Sequence, residues 1–465
     1  MVGAGPNGLA AAIALAQAGL KTVLREAQPT VGGGLRSAEL TLPGFVHDVC
    51  SAVHPLALTS PFFRTLPLDR YGLEWAQPPA ALAHPLDDGS VALLERSIDA
   101  TAEGLGPGGT RWKRLLEPYV RAWPALAQDV LSPPLRFPRS PFLMARFGLQ
   151  ALRPAAAVAR GLRGAKAQAL FAGNAAHSFL ALEQPGSAAF GLLLSGAGHA
   201  VGWPIARGGS QRIADALAAH FRSLGGEILT SAPVEHIDEA QARLVLLDLT
   251  PRQVLRVAGD RLPPWYRRAL ERYRYGAAAY KVDWALDAPV PWTAPECARS
   301  ATVHLVGTLD EVCASEAAPS RGSVHERPFV LFVQPTLFDP TRAPAGRHTA
   351  WAYCHVPNGY TGDAATLIER QIERFAPGFR DRVLARSVLA PADLERRNAN
   401  LVGGDINGGL MDLRQIFARP IARPTPYRTP VKGLYICSSS TPPGGAVHGM
   451  GGYHAARAAL AEVMR

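Results

Sequence analysis

Apolar and polar positions alternate with two kinds of punctuation along this chain, and each kind predicts its own elements. Residues 3–19, GAGPNGLAAAIALAQAG, read as a glycine-bearing turn that feeds a helix of small apolar side chains. The run KTVLRE at 21–26 is β-prone and ends on an acid, and a second glycine turn follows from Val31 to Gly34. From about 110 the spacing is helical through TRWKRLLEPYVRAWPALAQDVL, breaks at the proline-rich stretch 132–141, and resumes to about 182. Gly208 to Leu224 predicts a helix entered through a Gly-Gly turn, and short strands are predicted on both sides of LDLTPRQ at 247–253. Residues 278–286 put Tyr280, Val282, Trp284 and Leu286 on one face, the pattern of a half-buried strand. Further strands are predicted at 301–306, 328–334 and 348–356, with a helix near 364–376. The end reads as strand, glycine-rich loop and helix: GLYIC, SSSTPPGGAVHGMGG, YHAARAALAEVM.

Composition narrows the class. A chain of 465 residues is too long for one simple core. Hydrophobic residues at 48% and charged residues at 18% describe a well-packed globular protein. No apolar run reaches the roughly eighteen residues of a spanning helix, and no secretory leader pattern opens the chain, so a cytoplasmic protein is expected. The formal charge of +10 reads either as an arginine-rich solvated surface or as attraction to an anionic membrane face. Nucleic-acid motifs are lacking. Five cysteines stand apart, at 50, 297, 313, 354 and 437, with neither a metal-ligand spacing nor a redox dithiol, so no metal is expected.

The chemistry begins at Gly3, Gly5 and Gly8, spaced G-x-G-x-x-G. The first allows a tight turn, the second admits a pyrophosphate to the backbone, and the third lets helix pack on strand. Glu26 ends the next strand eighteen residues after Gly8, where a carboxylate accepts both ribose hydroxyls and disfavours a 2′-phosphate. FAD or NAD therefore fits better than NADP. The run Val31-Gly32-Gly33-Gly34-Leu35-Arg36-Ser37 favours FAD, since a second glycine turn passes close to the dinucleotide and Arg36 can meet its second phosphate. A strand of four to six apolar residues ordinarily precedes such a motif, roughly the length of a buried parallel strand. Only Met1 and Val2 stand here, and the true start is expected to lie upstream.

With these motifs in place the chain resembles the phytoene desaturase-like family of FAD-dependent oxidoreductases, nearest to its pyridine nucleotide-disulfide oxidoreductase domain-containing protein 2 branch. The resemblance rests on GAGPNGLAAA, VGGGLRS, GFVHDVCSAVHPLA, RGGSQRIADAL, LDLTPRQ, YKVDWAL, TVHLVGTL, HTAWAYCHVPNG, VGGDINGG and GLYICSSSTPPGGAVHGM. It implies an α/β fold: an FAD-binding Rossmann-type domain from the discontinuous segments 1–60, 205–260 and 425–465, and a mixed α+β substrate domain with a helical cap from 61–204 and 261–424. It also implies that Gly3, Gly5, Pro6, Asn7 and Gly8 cradle the pyrophosphate, with Glu26 on the adenosine ribose. Gly33, Gly34 and Arg36 would support the phosphate and ribityl region, and Val234, on the strand after Gly225-Gly226, would meet adenine. Ser438, Ser439, Gly449 and Met450 would lie against the ribityl chain and isoalloxazine. Three positions depart from the family pattern: Ala446 replaces a glycine, Gly451 replaces a frequent cysteine, and the stretch from His236 to Leu244 is short. No second nucleotide motif accompanies the first, because Gly196-Ala197-Gly198 has no strand before it.

His54, His199, His355 and His448 lie in or beside glycine- or proline-bearing loops and read chiefly as structural hydrogen bonders. His448 and then His54 are the candidates for a catalytic role. Arg146, Arg153 and Arg160 fall seven apart on one face of 142–163, either as a membrane-surface helix or as a roof over the substrate cavity, bent or divided at Pro154. Trp284, Trp351 and Tyr353 read as sheet core in preference to a tunnel lining. The expected function is FAD-dependent dehydrogenation or desaturation of a lipophilic small molecule, with the flavin reoxidised by oxygen or a quinone. An amine-oxidase-like flavoenzyme and a flavin-binding scaffold without turnover are the alternatives.

Overall fold

The computed structural model describes residues 1–463. One sheet is parallel and built from five distant segments. Glu227–Leu229 pairs with Val23–Arg25, and Val245–Leu247 pairs with Leu434–Ile436. Val2 joins the two pairs through parallel bridges to Arg25 and Leu247. Its N–H donates to Leu246 O at 3.0 Å, and the Gly3 N–H donates to Arg25 O at 2.8 Å. The two residues ahead of the first glycine therefore hold the middle of this sheet.

The opening helix, Pro6–Gln17, and the closing helix, Met450–Val463, pack against each other beside this sheet. The crossing is close enough that a Cβ on Gly452 would stand 1.8 Å from Asn7 O. Only glycine fits there. The neighbouring Gly451 is also crowded, with Asn7, Cys437 and Thr441 atoms at 3.2 Å from an added Cβ. This explains why a larger residue is absent.

The second sheet has seven strands in the order 383–389, 278–286, 348–356, 330–333, 300–305, 80–85, 91–95. All its pairs are antiparallel except Ser300–Leu305 with Ala80–Pro85. Cap helices, among them Pro141–Ala151, Ala165–Ala176 and Ala188–Ala200, share one core with Leu331, Trp351 and Tyr353. The helix Ala365–Phe375 shares another with Trp284 and Phe332.

Several expectations are corrected. Strand Ala278–Leu286 is buried along its whole length, because it lies inside the sheet with apolar cores on both faces. Its alternation is real: Tyr280, Val282, Trp284 and Leu286 belong to one core, while Lys281 and Asp283 are buried as an ion pair. After LDLTPRQ the chain forms the helix Pro251–Ala258, with proline in its first turn. Val234 lies beyond the strand Glu227–Leu229, not on it. By contrast, the expected division at Pro154 is met: the stretch 142–163 falls into helices Pro141–Ala151 and Ala155–Gly161. Gly196 to Gly198 fall near the end of helix Ala188–Ala200. Among the described residues no helix is long and apolar enough to cross a membrane.

Candidate functional site

A cavity of about 660 Å³ runs from the carboxyl ends of the parallel strands to the capped face of the large sheet. Its wall begins at Arg25, Glu26 and Val234, passes the two glycine turns, and continues past Ala446, Val447 and His448 to Phe147, Phe179, Trp351 and Tyr353. Such a crevice outside the carboxyl ends of parallel strands is where α/β folds hold dinucleotides.

Of the residues singled out from the sequence, Gly3, Gly5, Pro6, Asn7, Glu26, Gly33, Gly34, Arg36, Val234 and Ser439 lie on this wall, as do His54 and His448. Four stand behind it. The Gly8 N–H donates to Asp248 Oδ2 at 2.9 Å, and Ser438 Oγ accepts from the Ser440 N–H at 3.2 Å. Met450 is fully buried between the first and last helices, and Gly449 packs against Phe63 and Ala10.

The second glycine turn lies directly on the first. Gly33, at φ +56°, would bring a Cβ to 3.0 Å from Gly5 Cα, so neither turn tolerates a side chain facing the other. Glu26 fastens the arrangement. Its Oε2 accepts from the Ala4 N–H at 2.8 Å, and its Oε1 from the Gln28 N–H and from Arg36 Nη2, each at 3.0 Å. Arg36 also donates to Thr30 O and Arg397 O. The acid and the arginine expected on ribose and phosphate thus also hold each other.

Two features escaped the sequence reading. Asp248 ends the strand Val245–Leu247 beneath the glycine loop, and burial pushes its carboxyl up to about 7 against the opposing Gly8 N–H bond. The only signal was an acid at the carboxyl end of a parallel strand. The segment 397–401 closes over the turns: Asn400 Nδ2 donates to Asp248 O at 2.8 Å, and Arg397, Asn398 and Leu401 line the cavity. No periodicity marked it. In and just before the stretch 142–163, expected at a membrane surface or over the cavity, Phe137, Phe142 and Leu149 are strongly exposed, while Met144 and Phe147 line the cavity.

His448 and His54 are held in structural roles. His448 Nδ1 accepts from the Met450 N–H at 3.0 Å, which leaves the ring proton on Nε2, directed at Gly445 O at 3.2 Å. His54 Nε2 meets Ser210 Oγ at 2.8 Å, and that hydroxyl donates to Ser51 O at 2.6 Å. Burial lowers both imidazoles to about 4, so both are neutral at physiological pH. His199 accepts from Trp112 Nε1 at 3.0 Å, and His355 Nδ1 meets Glu316 at 2.6 Å. Trp284, Trp351 and Tyr353 are sheet core, as expected, and Trp351 and Tyr353 also line the cavity, because their strand turns that face toward the cap. Cys50, also on the wall, is kept a thiol by burial, which raises it to about 11.

The arrangement fits a dinucleotide. The floor is bare backbone where a Cβ at Gly3, Gly5 or Gly33 would be crowded, one end carries an acid and arginines, and the other end is apolar. A diphosphate would lie at the glycine turns, beside Arg36, at the N-terminus of Pro6–Gln17.

Residues 1–64 match the model of the NAD(P)-binding Rossmann-like domain. The chain is 27% identical to pyridine nucleotide-disulfide oxidoreductase domain-containing protein 2 of Mus musculus, over 100% of this chain and 93% of the mouse protein. Among solved structures it is similar to an oxidoreductase from Methanosarcina mazei, with a TM-score of 0.62 and 16% identity over 99% of both chains. It is also similar to cyclohexylamine oxidase from Brevibacterium oxydans, with a TM-score of 0.60 and 16% identity over 100% of this chain and 98% of that one. The likeness to the pyridine nucleotide-disulfide oxidoreductase domain-containing protein 2 branch read from the sequence is met again in the mouse relative, and the fold is shared with these solved oxidoreductases. The Rossmann match supports a flavin or nicotinamide dinucleotide.

Proposed function

We propose that the protein binds one FAD and transfers hydride to it from a lipophilic small molecule, with oxygen or a quinone as the final acceptor. The observation that carries this reading is the continuity of a glycine-floored slot with an apolar chamber in a single cavity. The slot would take the diphosphate at Gly3 to Asn7 and at Gly33 to Arg36, the ribose at Glu26 and adenine at Val234. Bound FAD would supply the hydride acceptor. The chain's own part is to hold the substrate against it and to exclude water, which Phe147, Phe179, Leu193, Trp351 and Tyr353 are suited to do.

The exposed apolar side chains near the cavity support a lipophilic substrate and contact with a membrane surface. Phe142 is 89% and Phe137 81% exposed, flanked in sequence by Arg136, Arg139 and Arg146. Apolar side chains ringed by cations suit an anionic bilayer face.

An amine-oxidase reading has one observation in its favour besides the fold: Trp351 and Tyr353 stack in the wall at 5.9 Å between centroids and 17° between planes. Anaerobic titration of FAD-loaded protein separates the two. Bleaching of oxidised flavin by uncharged lipophiles and not by amines is the expected result. Bleaching by amines alone, with hydrogen peroxide on admission of air, would overturn the proposal.

A further inference from the structure

The substrate end of the cavity carries a small set of neutral, unengaged polar groups in an otherwise apolar wall. The Trp351 Nε1–H is buried without a hydrogen-bond partner; Tyr353 and His177 line the cavity, and Tyr353 Oη and His177 Nδ1 make no hydrogen bond among the described residues. Around them stand Met144, Phe147, Phe179, Leu193 and Leu331. An unsatisfied buried donor costs about 1–3 kcal/mol, and here one stands beside two open polar atoms, a set that asks for a ligand atom.

The chamber also offers no unengaged counter-charge. His177 Nε2 meets His304 Nε2 at 3.1 Å, and the His84 ring stands 6.1 Å from that of His304. Burial lowers His177 to about 3, His84 to about 4 and His304 well below its ordinary value; His355 adds to the fall at His177, and His177 and His84 add to it at His304, while the Gly307 carbonyl and Glu311 oppose it at His84. Glu316 is taken by His355 at 2.6 Å, and Lys281 by Asp283, with its Nζ 5.0 Å from the Trp351 ring centroid; none of these four charged or titratable groups reaches the wall. Asp129 does reach it, but its oxygens accept the N–H groups of Arg139 and Ser140, each at 2.8 Å. The remaining charges of the wall, Arg25, Glu26, Arg36, Asp248, Arg256 and Arg397, belong to the glycine-turn end.

We infer that the chamber selects an uncharged lipophile bearing one hydroxyl or carbonyl oxygen, which Tyr353 Oη and His177 Nδ1 hold by hydrogen bonds. This rests on the proposed oxidoreductase reading for its purpose, and it names the substrate class of that site. A bare hydrocarbon leaves the polar groups unpaired. A carboxylate finds no cation and an ammonium no free carboxylate, so each loses its hydration without compensation. His304 is a positioning residue, fixing the His177 tautomer through Nε2.

The test is equilibrium binding by calorimetry of cyclooctanol, cyclooctanone, cyclooctane and cyclooctylammonium to the purified protein in the presence of FAD. Flavin content is measured separately by absorbance, so failure of cofactor binding is read apart from failure of substrate selection. Wild type is expected to bind the alcohol and ketone and to bind the ammonium at least ten-fold more weakly, about the value of one hydrogen bond in a dry pocket. In Tyr353→Phe, which keeps the ring and the packing, the ratio of alcohol to hydrocarbon affinity is expected to fall about ten-fold. His177→Leu should lower the same ratio, and His177→Asn should retain most of it. An unchanged ratio in Tyr353→Phe, or ammonium binding as tight as the alcohol, would overturn the inference.

Discussion

Ala446 lies on the cavity wall at φ +90°, in the left-handed region where a Cβ is strained, at a position where the resemblance implies glycine. Replacement by glycine removes the clash. Ala446→Gly is expected to stabilise the fold by about 1 kcal/mol, read as a higher denaturant midpoint; a lower midpoint would show that the backbone is not strained there. Asp248 makes a second prediction at this scale. Burial raises its folded pKa to about 7 from 3.8, with the Gly8 N–H bond opposing and the nearby Glu26 adding to the rise. The folded state therefore holds this proton more tightly than the unfolded chain does. The resulting stability is fully present below the unfolded value and is lost as pH rises through about 7. A diphosphate at the adjacent glycine turns favours the protonated acid still more. FAD affinity is expected to fall roughly ten-fold between about pH 6 and about pH 8. In Asp248→Asn that dependence should flatten. A wild-type affinity that does not change over the interval would rule out this role.

At the scale of elements, segments distant in sequence are tied by buried charge. Asp48, ending the strand Val46–Asp48, pairs with Arg342 at 2.9 Å and accepts from Ser37 Oγ at 2.7 Å and from the Ser210 N–H at 2.8 Å. Burial alone would raise its carboxyl; Arg342 and these donors hold it below the ordinary value. That contribution is present above the unfolded pKa and lost as pH falls through the lower folded one. Arg342→Leu strands a buried carboxylate and is expected to cost about 3–5 kcal/mol, measured by denaturant unfolding at neutral pH. A change within about 0.5 kcal/mol, the range of ordinary surface substitutions, would mean the pair ties nothing. These ties also mark the limit of what the sequence reveals. Periodic segments and glycine turns were legible: Pro6–Gln17, Gln211–Ser223, Ala278–Leu286 and His348–Val356 lie where the patterns put them. Helix Ala188–Ala200 was not, because it is apolar on nearly every side and shows no period. Asp48, Asp248 and Lys281 were not, because a buried charge takes its meaning from partners distant in sequence. Glu26 was legible as an acid at a strand end, yet its bond to Arg36 needed the fold.

Over the whole molecule the two ends of the chain close on one slot, and an apolar surface lies beside the cavity that continues from it. If that surface meets lipid, the protein should float with vesicles containing anionic lipid. The double variant Phe137→Ser, Phe142→Ser should lose most of this binding while retaining its fold; equal flotation of both proteins would exclude these side chains as the contact. The most direct measurement, however, concerns the slot. Purified protein incubated with FAD and then desalted is expected to keep one flavin per chain by absorbance. Gly33→Val, whose side chain would strike Gly5, should keep its circular dichroism and lose the flavin. A wild-type protein that emerges colourless, or a Gly33→Val variant that holds as much flavin, would contradict the account.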